Sequence, residues 1–465
     1  MSDAVLEFLG AAGTVTGSRF LIQSEQSQVL VDAGMFQGLK RYRVQNWEPF
    51  PIDPSTIDAI VLTHAHVDHS GYLPALAKQG FTGPVYCTNR TMELCKVLLP
   101  DAAHLQEEEA RYANRKGFSK HKPALALYTT ADANAVLELF EPVSFGERHE
   151  VAPGIAVTFH IAGHILGSSS AEVEVNGRNG PRRILVSGDL GRGDHPLLRP
   201  PVPPPDADIV LLETTYGDRV HPDPEPEIER LCEAIRESAS RGGMVLIPAF
   251  AVDRTEVVLL LLQDLMLSER IPRLPIYADS PMALRVLDIY RQANADGDLD
   301  LRQLDRPLPF SAGNDVHECR TPEESKSLSE LTYPSIIISA SGMATGGRVL
   351  HHLARLLPDN RNTIILSGFQ AAGTRGRLLA DGKRTVKLLG QHVPVRATVV
   401  AMESLSVHAD ADDLVSWVGS MSKPPEIVYT VHGEPEGSDA MCERLAAELD
   451  LVAVRPHQRE RVLIG

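Results

Sequence analysis

The stretch His64-Ala65-His66-Val67-Asp68-His69 packs four metal-ligating side chains into six residues, and it constrains this chain more than any other feature. It follows Ala59-Ile60-Val61-Leu62, an apolar run that reads as a buried strand. In an extended or turning backbone alternate side chains point the same way. His64 and His66 therefore converge on one ion, and Asp68 and His69, past the turn, reach a second beside it. Imidazole with carboxylate is the ligand set of zinc, with manganese or iron as the other candidates. Two metals about 3.5–4 Å apart form the clamp that hydrolyses phosphoesters and related bonds. A solvated polar turn would not explain the ligand types, their order and the strand before them.

The length of 465 residues exceeds a typical single domain and predicts two or three. No uncharged apolar run of about 18 residues occurs, so no membrane-spanning helix is expected. The opening MSDAVLEFLG lacks the pattern of a secretory signal. The five cysteines (Cys87, Cys95, Cys232, Cys319, Cys442) are scattered with no C-x-x-C, which predicts reduced thiols in a cytoplasm. The net charge of −16 argues against a polynucleotide partner, since phosphate binding usually uses a basic surface. Bound metal ions and a few arginines reverse that sign locally.

Along the chain, Val29 to Val31 is a short strand ending at Asp32, an acid placed to orient a ligand histidine. Lys40, Arg41 and Arg43 read as a solvated face. Residues 91–117 read as a long helix whose Glu107-Glu108-Glu109 run faces solvent. His104 and His121 read as ordinary histidines, and His160 as a strand side chain. Ala162-Gly163-His164 makes a turn after a strand, and small neighbours let His164 approach an ion as the first metal's third histidine. A buried strand ends at Ser187-Gly188-Asp189, where Asp189 can bridge both metals. A proline-rich stretch, residues 196–205, leads to the strand that ends at Glu213. Residues 216–390 alternate helices and strands, the rhythm of a parallel sheet with helices on its faces. Residues 293–335 are acidic, poorly periodic and read as a loop or cap. His408 and His432 each lie at the end of an apolar run, as His64 and His164 do.

The metal loop joins four further landmarks: Glu213 in LLETTYGDR, then IPAFAVDRTEVVL, then SASGMATGGR, then the pair Ser406-Val407-His408-Ala409-Asp410 and Val431-His432-Gly433-Glu434. Together they resemble the β-CASP branch of the metallo-β-lactamase superfamily, over nearly the whole chain. The likeness is strongest to bacterial and archaeal relatives of the pre-mRNA 3′-end cleaving endonuclease. The resemblance implies an α/β fold: a metallo-β-lactamase αββα sandwich with an inserted α/β β-CASP domain, a parallel sheet flanked by helices. The expected division is 1–215, first part of the metallo-β-lactamase domain; 216–390, the β-CASP domain; and 391–465, the remainder of the first. It also implies that His64, His66 and His164 hold one Zn2+, that Asp68, His69 and His432 hold another (Mn2+ being the alternative metal), and that Asp189 bridges them. Asp32 supports these ligands, and Glu213 with His408 forms the acid pair. Asp68, Asp32, Glu213 and His408 are the expected catalytic residues.

The implied activity is a zinc-dependent ribonuclease that hydrolyses phosphodiesters of single-stranded RNA, endo- or exonucleolytically, leaving 5′-phosphate and 3′-hydroxyl. The expected setting is cytoplasmic, away from membranes, and a homodimer is compatible with it. Phosphate contacts are expected from Ser341-Gly342, which follow a strand and precede a helix where backbone amides cradle an anion. Gly368, Thr374 and Arg377 form a second such turn, and Arg254 lies near a helix start. Packing or turn chemistry accounts for each of them equally well. The alternatives are a single-stranded DNA nuclease, a small-molecule metallo-hydrolase of thioesterase or lactamase type, and an inactive RNA-binding scaffold. The large insert and the His408–Glu213 pairing argue against the small-molecule reading, and the full ligand set against the scaffold.

Overall fold

The computed structural model describes residues 3–117, 122–178, 180–303, 308, 316–368, 370, 373–402 and 404–464. The chain forms two compact units, Met1–Val220 with His408–Gly465, and His221–Val407.

The first unit holds two seven-stranded sheets. One runs in the order Arg461–Ile464, Ala4–Phe8, Phe20–Gln23, Gln28–Val31, Ala59–Val61, Val85–Thr88, Phe140–Val143. The other runs Ala453–Val454, Ile427–Val431, Ile209–Glu213, Gly180–Val186, Ser169–Gly177, Ile155–Ile161, Arg148–Ala152. Side-chain alternation sorts each strand between layers. Ile209 and Leu211 point into a core shared with Leu6, Phe8, Val31 and Val61 of the facing sheet. Val210 and Leu212 point the other way, onto Leu414, Trp417, Met441 and Leu445 of the helices Ala411–Gly419 and Pro435–Leu449. The sandwich covered by helices that the resemblance implied is the observed architecture.

Strand direction makes the site. Gly180–Val186, Ile209–Glu213 and Ile427–Val431 are mutually parallel neighbours. Their C-terminal ends therefore share one edge and deliver Asp189, Glu213 and His432 there. Ile155–Ile161 is two antiparallel pairings away from Gly180–Val186, so it points the same way and delivers His164. In the facing sheet Gln28–Val31 and Ala59–Val61 are parallel, which sets Asp32 beside the start of the metal loop.

The second unit is built on a six-stranded sheet ordered Val316–Glu318, Ile276–Ala278, Ile336–Ser339, Val245–Pro248, Thr363–Ser367, Thr398–Met402, with every pairing parallel. Helices Pro224–Ser240, Arg254–Leu267, Pro281–Asp296, Val349–Leu356 and Arg375–Ala380 alternate with its strands, in the rhythm read from the sequence. The expected break at 390/391 falls inside this unit, because Thr398–Met402 pairs with Thr363–Ser367 as the sheet's last strand. The stretch read as a loop carries the edge strand Val316–Glu318 and the helix Pro322–Ser327. Three residues, Val316 and Glu318 half-buried and His317 exposed, leave no periodic trace.

Candidate metal centre

The metal loop follows the strand Ala59–Val61, is still outside a helix at His66, and then makes the helical turn Val67–Ser70. That change of direction separates the ligands into two groups. His64, His66, His164 and Asp189 each offer an atom within 4.8 Å of the others, and Asp68, His69 and His432 do the same. In the first group His66 Nδ1 lies 3.2 Å from both His64 Nε2 and His164 Nε2. Asp189 Oδ2 lies 3.6 Å from each of the same two nitrogens. Four donors about 2.0–2.1 Å from one tetrahedral zinc stand about 3.3–3.4 Å apart, so this set fits such an ion. Asp189 Oδ1 faces the second group, 3.2 Å from His69 Nε2 and 3.8 Å from His432 Nε2. His432 Nε2 is also 3.8 Å from Asp68 Oδ2. One carboxylate thus turns an oxygen to each cluster. His69 Nε2 and Asp189 Oδ1 are both buried and outside any well-formed hydrogen bond. Buried polar atoms left this way are costly unless a cation takes them.

The remaining ring nitrogens fix which atoms face the centre. His69 Nδ1 donates to Asp32 Oδ2 at 2.7 Å, the carboxylate–histidine arrangement that orients metal ligands. Asp32 Oδ2 also accepts from Thr63 Oγ1 at 2.9 Å, and Oδ1 from the Thr63 amide at 2.8 Å. Thr63 Oγ1 lies 3.1 Å from His64 Nδ1. Having given its own proton to Asp32, it accepts from His64 and leaves His64 Nε2 as a lone-pair donor. Ser18 Oγ is 2.8 Å from His432 Nδ1, a contact that fixes the orientation of that ring. Sequence reasoning missed Thr63 and Ser18. Thr63 could have been found as the residue before His64. Ser18 has no local signal, because 414 positions separate it from its partner.

Burial, joined by the neighbouring imidazoles, pushes His64 and His164 well below the ordinary histidine range, so both are neutral and ligand-ready. His66 is lowered by burial, against the pull of Asp68 and Asp189. His69 is raised because Asp189 and Asp32 outweigh its burial. Asp189 is held well below the carboxylate range: burial opposes this, and the imidazoles facing it, His432 and His69 foremost, prevail.

His408 stands beside the cluster, its ring centroid 4.3 Å from that of His164. Its Nδ1 is 3.4 Å from Glu213 Oε1 and 3.9 Å from Asp189 Oδ2. Glu213 is fully buried and accepts from the Leu190 amide at 2.7 Å and the Thr215 amide at 3.2 Å. Burial would lower the pKa of His408, but the charge and hydrogen bond of Glu213 raise it.

The other candidates divide. His160 pairs with Glu172 at 3.1 Å, apart from either cluster, and His104 lies exposed near Glu108. His121 lies outside the described residues. In the second unit Arg254 is buried, its Nη1 bonded to the Ser367 carbonyl next to Gly368. Ser341 Oγ accepts from the Thr345 amide at 3.1 Å, ahead of Gly342. Thr374 caps its helix by accepting from the Arg377 amide, and Arg377 Nε reaches Asp381 Oδ1 at 2.8 Å. No helix among the described residues is long and apolar enough to cross a membrane.

Comparison with known families and proteins agrees with this architecture. Residues 12–236 match the metallo-beta-lactamase superfamily, 255–379 the Beta-Casp domain, and 392–456 the Zn-dependent metallo-hydrolase RNA specificity domain. The chain is 37% identical over 440 residues to ribonuclease TTHA0252 of Thermus thermophilus, covering 94% of this chain and 95% of that one. It is 32% identical to the transcription termination factor FttA of Pyrococcus abyssi, over 92% of this chain and 66% of that one, so it spans about two thirds of that factor's length. An RNase J-like protein of Methanocaldococcus jannaschii is 29% identical over 92% of both chains. The crystal structure of a protein of unknown function from Enterococcus faecalis V583 shares the fold, with a TM-score of 0.53 at 13% identity, covering 99% of this chain and 100% of that one. With its His/Asp metal centre and these matches, the chain belongs to the β-CASP branch of the metallo-β-lactamase superfamily.

Proposed function

We propose that this protein is a zinc-dependent ribonuclease that hydrolyses phosphodiester bonds of single-stranded RNA and leaves 5′-phosphate and 3′-hydroxyl ends. The observation that carries this reading is the Asp189 carboxylate, with one oxygen toward each ligand cluster and the His408–Glu213 pair alongside. The ribonuclease relative and the RNA specificity domain support RNA as the substrate. Five free cysteines, four of them buried, fit a cytoplasmic setting.

In this reading His64, His66 and His164 would hold one zinc ion and Asp68, His69 and His432 a second, with Asp189 placed to serve both. Two such ions, when bound, lower the pKa of a water and neutralise charge growing on the phosphate. The chain's own residues do the rest. Asp32 and Thr63 keep His69 and His64 in the tautomers that turn Nε2 inward. As water oxygen adds to phosphorus and the P–O3′ bond breaks, the leaving oxygen needs a proton. His408 gives it: Glu213 lies against Nδ1 and aims the ring, so Nε2 is the nitrogen that would deliver the proton. Glu213 also stabilises the imidazolium before transfer.

The test is a gel with single-stranded RNA labelled separately at each end, beside DNA of the same sequence, with and without chelator. Cleavage of RNA that chelator abolishes and zinc restores is expected. A metal-loaded sample that leaves every RNA intact overturns the reading, and the ladders give the polarity.

A further inference from the structure

The metal loop is held from below by the chain that follows Asp32. Ala33 N bonds to His69 O at 2.7 Å and Met35 N to Val67 O at 3.0 Å. That chain then leaves the loop at Phe36 and makes a closed excursion. Asn46 ends it: its Oδ1 accepts from the Phe36 amide at 2.9 Å and its Nδ2 donates to the Phe36 carbonyl at 2.7 Å. Beneath lies Arg19, buried, its guanidinium 4.0 Å from the Tyr72 ring centre and 4.8 Å from that of Phe36. Arg19 Nε donates to the Gly34 carbonyl at 2.7 Å. The base of the excursion is therefore rigid.

The excursion and the residue just past its closing asparagine are not sequestered. Trp47 is 58% exposed, and Leu39 and Val44 are exposed beside it. The helical turn Lys40–Arg43 buries nothing. No acid occurs between Asp32 and Glu48, and among the described residues no carboxylate lies within ion-pair distance of Lys40, Arg41 or Arg43. Elsewhere on the surface arginines find acids, as Arg148 with Glu174, Arg182 with Glu426 and Arg444 with Glu448. Three cations with no carboxylate partner, in the same short stretch as an exposed indole and in a chain of net charge −16, are what a polyanion with flat bases recognises. Read from the sequence alone, these cations were a solvated face; the exposed tryptophan and the pinned base change that.

We propose that residues 39–47 are a docking surface for single-stranded RNA outside the metal centre, with Trp47 stacking on a base and Lys40, Arg41 and Arg43 meeting backbone phosphates. It rests on the ribonuclease reading. The segment just before this surface, Ala33 to Met35, is bonded to the metal loop through its backbone, so RNA held here would be anchored from a fixed base.

The test uses the full chain, metal-loaded. Anisotropy of fluorescein-labelled oligouridylate is measured in a His408→Ala background, so that the probe survives. Trp47→Ala should weaken binding about tenfold, with Trp47→Phe restoring most of it. Arg41→Ala with Arg43→Ala should make the slope of log affinity against log salt shallower by about 1.4, the loss of two phosphate contacts on a single strand. With His408 intact, the same substitutions should raise KM while kcat stays within about twofold. RNA bound with unchanged affinity and salt slope by every variant overturns this surface and leaves the ribonuclease reading standing. A shift in sedimentation with unchanged RNA affinity also overturns it, and assigns the surface to a second copy of the chain. No RNA binding by the His408→Ala protein itself overturns both readings.

Discussion

A methyl group on Gly34 would lie 1.6 Å from the carbonyl oxygen of Asp68. The two backbones touch there because Ser18, which aims His432, donates its amide to that same carbonyl at 2.9 Å. Backbone atoms cannot rotate away from a clash. Gly34→Ala should therefore cost at least about 1–3 kcal/mol of stability and displace Asp68 and His69 together. Thermal melts and metal content by atomic emission check this; a variant with wild-type metal content would contradict it.

Asp189 is the side chain the two ligand clusters have in common. Asp189→Ala should reduce bound metal from about two ions per chain to one or fewer and abolish RNA cleavage. Equilibrium dialysis against zinc reads the first effect and the end-labelled gel the second. Retention of both ions would remove the bridging role.

Asp32 is not itself a member of either ligand cluster. Its worth lies in the His69 Nδ1 and Thr63 hydrogen bonds. Asp32→Asn keeps the shape but turns an acceptor into a donor facing them. Zinc affinity should fall about 10–100-fold, with cleavage recovering at high zinc. Competition with a chromogenic chelator measures it.

His408→Ala should leave metal content at the wild-type level and lower kcat by about 10²–10⁴-fold. Glu213→Gln should lower kcat in the same direction, since the neutral amide no longer stabilises the imidazolium. Single-turnover cleavage is the measurement. A His408→Ala enzyme that cuts at a near-wild-type rate would falsify the proton-donor role.

In the second unit, Glu256 is fully buried, and neither of its oxygens makes a well-formed hydrogen bond. Burial first, and then the nearby Asp253, raise its pKa well above the ordinary glutamate value. A folded-state pKa above the unfolded one means that the group supports the fold at low pH. That support is lost as pH rises through the folded value. Glu256→Gln does not titrate. It should raise the melting temperature, and the gain should be larger at pH 8 than at pH 5. A gain that shrinks with rising pH would contradict the sign.

The first ligand cluster was legible in part because His64 and His66 are neighbours in sequence after a readable strand. The alternating helices and strands of residues 216–390 were legible for the same local reason, each strand being a short apolar run between helical periods. The last strand of that unit, Thr398–Met402, was assigned to the returning domain. An apolar run announces a strand but not its sheet, and only its register against Thr363–Ser367 decides that.

The amino-acid order by itself determined the ligand types, their family pattern and the strands that end in acids and histidines, because these are properties of short windows. Which oxygen of Asp189 faces which cluster, which nitrogen of each histidine turns inward, and that Ser18 and Thr63 orient those rings were decided only by the tertiary structure. Those facts depend on parallel strands bringing Val186, Glu213 and Val431 to one edge, across spans of chain whose contacts no local pattern encodes.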